Sequence, residues 1–161
     1  MTRAFYSFHF SGDVSRVGQV RNIGVIEGDQ LVDDNSWEKV KKGGSKAIEG
    51  WIDRQMAACD VVIVLVGKET AERPWVRYEI ERAWNTRKKI FGIRIHGLKN
   101  LLGQTGSWGE NPFDNIKLTD GSRLSAYVPL HDPFGFSSQQ VYAIIKENIE
   151  KWIRLAPSRN S

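Results

Sequence analysis

Asp60-Val61-Val62-Ile63-Val64-Leu65-Val66-Gly67 is the stretch that decides the fold. It is short, apolar at every inner position and β-branched at all of them but Leu65, with no alternation of apolar and polar residues. A strand wet on one face alternates, whereas an unbroken run fits a strand covered on both faces, as in a parallel sheet flanked by helices. A second run of the same kind is Lys89-Ile90-Phe91-Gly92-Ile93-Arg94-Ile95-His96. A third strand is expected at Arg3–Phe8, and a fourth near Arg123–Leu130, where Pro129 restricts it to an edge or a strand end.

Helical patterns separate these runs. Ile48, Trp51, Ile52 and Met56 share one face, so Ser45–Ala58 reads as an amphipathic helix entering the central strand. Pro74 at a first helical position introduces Trp75–Arg87, with Val76, Ile80, Ala83 and Trp84 as its stripe. The last helix carries a capping box from Ser137 to Gln140, a staple of Phe136 on Val141, and an apolar face through Ile144, Ile145, Ile149, Trp152 and Ile153. Val14–Ile26 reads as a helix interrupted by Gly18 and Gly24. Asp29–Gly44 is expected to hold a short strand and a long exposed loop, and 97–123 a long loop insertion. Strands alternating with helices give an α/β domain.

Composition narrows the class. The 161 residues suit one domain, and 40% hydrophobic with 26% charged content excludes a disordered or fibrous chain. A net charge of +4, with the signs mixed along the chain, gives no argument for nucleic acid. Cys59 alone excludes an intramolecular disulfide and a cysteine-built zinc site, and reads as a small buried hydrophobe. Val61–Val66 falls far short of the roughly 20 apolar residues of a membrane span. Met1-Thr2-Arg3 leads into the first strand without a signal peptide, so a soluble cytoplasmic protein without a membrane partner is expected.

In open α/β sheets, ligands bind outside the carboxyl ends of the strands. That rule nominates Ser7–Asp13, Gly67–Arg73 and His96–Asn100. None of these is a phosphate-cradling loop, and neither a G-x-x-x-x-G-K-[ST] nor a strand-borne G-x-G-x-x-G occurs. His9, His96 and His131 stand singly, so no metal site is expected; His9 and His96 read either as cleft residues or as polar strand ends. Glu79 lies about 40° from Trp75 and Ala83, on the shoulder of its helix's apolar stripe. Spacing leaves two readings open: a carboxylate facing a cleft, or an i, i+3 ion pair with Arg82.

Trp75-Val76-Arg77-Tyr78-Glu79 resembles the W-C-x-x-E signature of TIR domains, with Val76 in the cysteine position. The wider resemblance is to the TIR-like ThsB family of the Thoeris anti-phage defence system. It runs through Phe5-Tyr6-Ser7-Phe8-His9, Val20-Arg21-Asn22, Ser36-Trp37-Glu38, Gly92-Ile93 and Asn111-Pro112-Phe113-Asp114, roughly the first two-thirds of the chain. The R-D-x-x-P-G box of signalling TIR loops is absent. The resemblance implies a single flavodoxin-like, three-layer domain over 1–161 with a central, mostly parallel five-stranded sheet. It also implies an NAD glycohydrolase or ADP-ribosyl cyclase that makes a cyclic ADP-ribose-type messenger, with Glu79 catalytic.

NAD is then the substrate, and no cofactor is called for. The nicotinamide–ribose bond already carries a cationic leaving group, so what needs stabilising is positive charge on the ribose carbon, and one desolvated carboxylate serves. Substrate contacts are expected from Ser7, Phe8, His9, Arg21, Asn22, Trp37 and Trp75, with Phe5 weighed as core and Arg21 and Asn22 read equally as a solvated helix face. The other expected partner is an effector protein reached through the nucleotide product, with room for a homo-oligomer. Two other readings remain. One is a non-catalytic receiver-like or adaptor domain, although no aspartate ends the central strand as a receiver requires. The other is a nucleoside deoxyribosyltransferase-like enzyme, which shares glutamate chemistry at a ribosyl carbon.

Overall fold

The computed structural model describes residues 2–24, 26–28 and 42–160. Its parallel strands are β1 (Thr2–Ser7), β2 (Ile26–Gly28), β3 (Val61–Val66), β4 (Lys89–Arg94) and the two-residue β5 (Leu130–His131). They lie in the order β2-β1-β3-β4-β5. Among the described residues, helices α1 (Phe10–Arg21), α2 (Ser45–Ala57), α3 (Pro74–Asn85) and α4 (Ser138–Leu155) accompany them.

The unbroken apolar run of β3 has a simple physical cause. Val61, Ile63 and Leu65 point into one core, shared with Val17 and Val20 of α1 and Val141, Ile145 and Ile149 of α4. Val62, Val64 and Val66 point into the other, shared with Ile48, Ile52 and Met56 of α2 and Val76 and Ile80 of α3. All six β3 residues are fully buried, each side chain contributing on the order of 1.5–3 kcal/mol. Three layers follow: α1 and α4, the sheet, and α2 and α3. Phe5 and Cys59 are buried in the α2–α3 core, Phe5 as its core reading required.

Several boundaries differ from the sequence pattern. The first helix runs over Phe10–Arg21 rather than Val14–Ile26. Its start is earlier because Asp13 in its first turn pairs with Arg16 one turn on, while Ile26 belongs to β2. The Ser7–Asp13 connection therefore shrinks to Phe8-His9. Near residue 123 a single 3-10 turn, Leu124–Ala126, replaces most of the expected strand, and only Leu130–His131 pair with β4. At the head of α4, Ser137 caps Gln140 N–H at 3.2 Å as expected. The Gln140 side chain, however, accepts from Phe136 N–H, one residue before the box's return bond. Phe136 is 91% exposed and meets Phe134 edge-on, so the staple on Val141 does not form.

The 97–123 segment contains a 3-10 turn, Pro112–Asn115, and sends Leu98, Phe113 and Ile116 into the cores. The short strand and loop expected at 29–44 lie largely outside the described residues. No helix among the described residues is long and apolar enough to cross a membrane.

Candidate active site

The chain runs from β1 outward to β2 and then returns to β3 on the other side of β1. The carboxyl ends of β1 and β3 thus diverge at a topological switch point, the place where open α/β sheets hold ligands. Ser7 ends β1 there, fully buried, and its register partner on β3 is Val64. Residues alternate along β1, so Phe5 and Ser7 face α2 and α3 while Ala4 and Tyr6 face the opposite core.

Glu79 meets Ser7 from across the interface. Pro74 starts α3 with its missing N–H where no helical partner is needed, and Val76, Ile80 and Ala83 seat the helix on the sheet. Glu79 stands on the flank of that buried face, half-buried. Ser7 Oγ donates to Glu79 Oε1 at 2.7 Å. A short hydrogen bond from a fully buried hydroxyl to a carboxylate fixes the acid's orientation.

The helix is held sideways as well. Tyr78 donates its hydroxyl to Asp53 Oδ1 of α2 at 2.9 Å, and Arg82 Nε lies 3.1 Å from the same oxygen. Burial and the Asp53 carboxylate push the Tyr78 phenol up to about 12. Arg82 is thus engaged by α2, which weakens the expectation of an i, i+3 pair with Glu79.

The residues after β1 continue the edge. Phe8 packs against the α1–α4 core and lies 6.1 Å from the Phe10 ring. The His9 side chain is only 12% exposed; its Nδ1 is 3.6 Å from Glu69 Oε2 and its Nε2 2.8 Å from Ser11 Oγ. Trp75, in the first turn of α3, is half-buried against the α2–α3 core and meets Tyr78 edge-on at 5.6 Å. The structure thus brings Ser7 and Glu79 into contact, sets His9 beside Glu69, and leaves Phe8 and Trp75 against opposite faces of the sheet.

Arg21 and Asn22 are a correction. They close α1, whose 12 residues span about 18 Å. The helix runs away from the carboxyl edge, and the chain beyond it enters β2 at Ile26, opposite Thr2 at the start of β1. This pair therefore stands at the other edge of the sheet. Trp37 lies outside the described residues.

A second group on the carboxyl edge escaped sequence reasoning. Arg16, 7% exposed, reaches Asp13 Oδ1 at 3.2 Å, Leu98 O at 2.9 Å and Gln104 O at 3.1 Å. Burial raises the Asp13 pKa, with Arg16 opposing that shift. The Asp13 carboxylate fills the space where a Gly67 side chain would stand, and Gly109 backs onto Gly67 O just as closely. Arg94 at the end of β4 holds Gly109 O at 3.1 Å and carries the Trp108 ring 4.3 Å from its guanidinium carbon. The loop after β4 is thereby fastened over the end of β3. The i, i+3 spacing of Asp13 and Arg16 was the available signal. Burial also lowers the His96 pKa, and its Nδ1 is buried without a hydrogen-bond partner. Among the described residues no cluster of His, Cys, Asp and Glu could hold a metal ion.

Comparison with known proteins agrees with this architecture. Residues 5–100 match the family described as Thoeris protein ThsB, TIR-like domain. Over 133 residues the chain is 36% identical to a Bacillus cereus (strain MSX-D12) protein named "Putative cyclic ADP-D-ribose synthase ThsB1". That alignment takes in 78% of this chain and 69% of the relative.

Proposed function

The chain belongs to the TIR-like ThsB family of Thoeris proteins, and from that premise we propose that it cleaves NAD and closes the ADP-ribose on itself, making a cyclic ADP-ribose-type signal for anti-phage defence. One observation carries the reading furthest: the Ser7–Glu79 hydrogen bond at the switch point between β1 and β3. The relative's name supports the product class.

The proposed chemistry assigns each group a task. The bond from the ribose carbon to the nicotinamide nitrogen breaks with its electron pair leaving on nicotinamide, which departs neutral. Glu79 faces the positive charge left on the ribose carbon, and Ser7 holds that carboxylate in place. A nucleophilic oxygen or ring nitrogen of the same molecule captures the cation, an attacking hydroxyl losing its proton as the ring closes. Water capturing it instead gives linear ADP-ribose. Trp75, Phe8 and His9 are the contacts proposed for the nicotinamide mononucleotide half. Because the leaving group is already cationic, turnover should survive a metal chelator. The product would reach a separate effector protein by diffusion.

Glu79→Gln tests the proposal. It preserves size while removing the charge, and the loss of one preorganised electrostatic contact costs about 100–1,000-fold in rate. Product formation from NAD is followed under conditions that activate the wild type, beside a thermal melt of each protein. Unchanged turnover in a folded variant would remove Glu79 from the chemistry and favour an adaptor acting through protein contacts.

A further inference from the structure

A groove of about 710 Å³ opens at the edge of the sheet remote from Ser7. The last turn of α3 forms one wall, residues 116–120 and Tyr127 another, and residues 157–160 a third. A backbone hydrogen bond from Ile90 N–H to Pro157 O, at 2.9 Å, ties that tail to the start of β4. Its size falls within the range of small-molecule sites. We propose that this groove binds a neutral ring bearing vicinal hydroxyls, either a saccharide or a nucleoside.

Three observations select that chemistry. The first is an aromatic platform: Trp84 and Tyr127 stack within 28° of parallel at 6.2 Å, and Tyr127 remains 50% exposed. An exposed ring face of this sort takes the C–H face of a sugar or the plane of a base. The second is charge balance. The lining carries two acids, Glu81 and Asp120, and two bases, Lys117 and Arg159, with Glu81 held by Arg77 at 3.0 Å, so no strong net charge of either sign favours an ion over a neutral ligand.

The third is the arrangement of hydrogen-bonding groups. Asp120 accepts from Ser122 N–H at 2.9 Å and from its hydroxyl at 2.5 Å, with the Tyr127 hydroxyl at 3.4 Å. These bonds hold its pKa below the usual carboxylate range, so it is an acceptor at neutral pH. Asn85 and Arg159 meet at 3.4 Å on the opposite wall, supplying planar donors. Planar amide and guanidinium groups present paired donors to two adjacent hydroxyls, whereas a lysine presents a single ammonium centre. The site is independent of Glu79.

The test titrates the isotopically labelled full chain with maltose, adenosine or inorganic phosphate, following amide and tryptophan indole resonances. Maltose or adenosine should produce saturable shifts confined to residues 84–85, 116–127 and 157–160, and which ring does so identifies the source. Tyr127→Ala should weaken the binding tenfold or more, Glu79→Gln should leave it unchanged, and Arg159→Ala offers a second variant should Tyr127→Ala melt early. Shifts with phosphate alone, no saturable shift with either ring, or shifts indifferent to both Tyr127→Ala and Arg159→Ala would overturn the assignment.

Discussion

Ser7 illustrates how much one hydroxyl decides. Its Oγ donates to Glu79 Oε1, and removing it should loosen the hold on the carboxylate's orientation. Ser7→Ala is therefore expected to lower kcat for NAD by on the order of 10–100-fold, since small misplacements at a reacting centre cost that much. KM should move little, and stability should fall by about 1–2 kcal/mol for the lost buried bond. Steady-state rates and urea melts check both.

His131 makes a pH prediction at the same scale. It stacks on Trp152 at 4.4 Å and meets Phe91 edge-on at 5.7 Å, and burial lowers its pKa below the ordinary 6.5. Between the folded and unfolded pKa values the unfolded chain binds more protons, so stability rises with pH across that window. Its contribution is present above about 6.5 and is lost as pH falls through the lower folded value. His131→Gln should flatten part of the fall in Tm seen on acidification. The helical phase of Glu79 was legible in the sequence, but its partner was not, because 72 positions separate Ser7 from Glu79. Arg21 and Asn22 misled because they came with the Val20-Arg21-Asn22 block of the resemblance, which α1 carries to the other edge.

Among the elements, the end of β3 is closely packed. A Cβ at Gly67 would sit 2.2 Å from Asp13 Oδ2, inside a buried ion pair. Gly67→Ala should therefore destabilise by about 1–3 kcal/mol through overpacking. Gly18 is the control: it lies within α1, and beyond its own helix backbone no atom of the described residues comes within 4 Å of its would-be Cβ. Gly18→Ala should stabilise by about 0.5–1 kcal/mol, because alanine loses less backbone entropy in a helix. Thermal melts of the two variants should move in opposite directions. The helices centred on Ile52, Ile80 and Ile145 were legible from their apolar spacing, because local periodicity reports directly on a buried face. The start of α1 was not, because its N-cap residue, His9, makes no side-chain capping hydrogen bond to mark it.

At the scale of the whole molecule, two all-apolar runs sufficed to name a parallel α/β sheet, but not to order its strands. Nothing in Val61–Val66 tells whether β1 or β2 is its neighbour, and that order places the switch point beside Ser7. The same order imposes a sequence of events in time. Val61 pairs with Lys89 across one short helix, whereas Ala4 pairs with Val61 only after the chain has passed through α1, β2 and α2. Closing the smaller loop costs less entropy, so β3, α3 and β4 should assemble first and β1 should dock onto a surface already formed. Conservative truncations should then divide by kinetics. Ile90→Val in β4 should mainly slow folding, while Ile23→Val beside α1 should mainly speed unfolding. Stopped-flow chevrons would read the two limbs separately. On this order, the half of the molecule that brings Glu79 is built before the strand that brings Ser7, and the candidate site is completed only at the last step of folding.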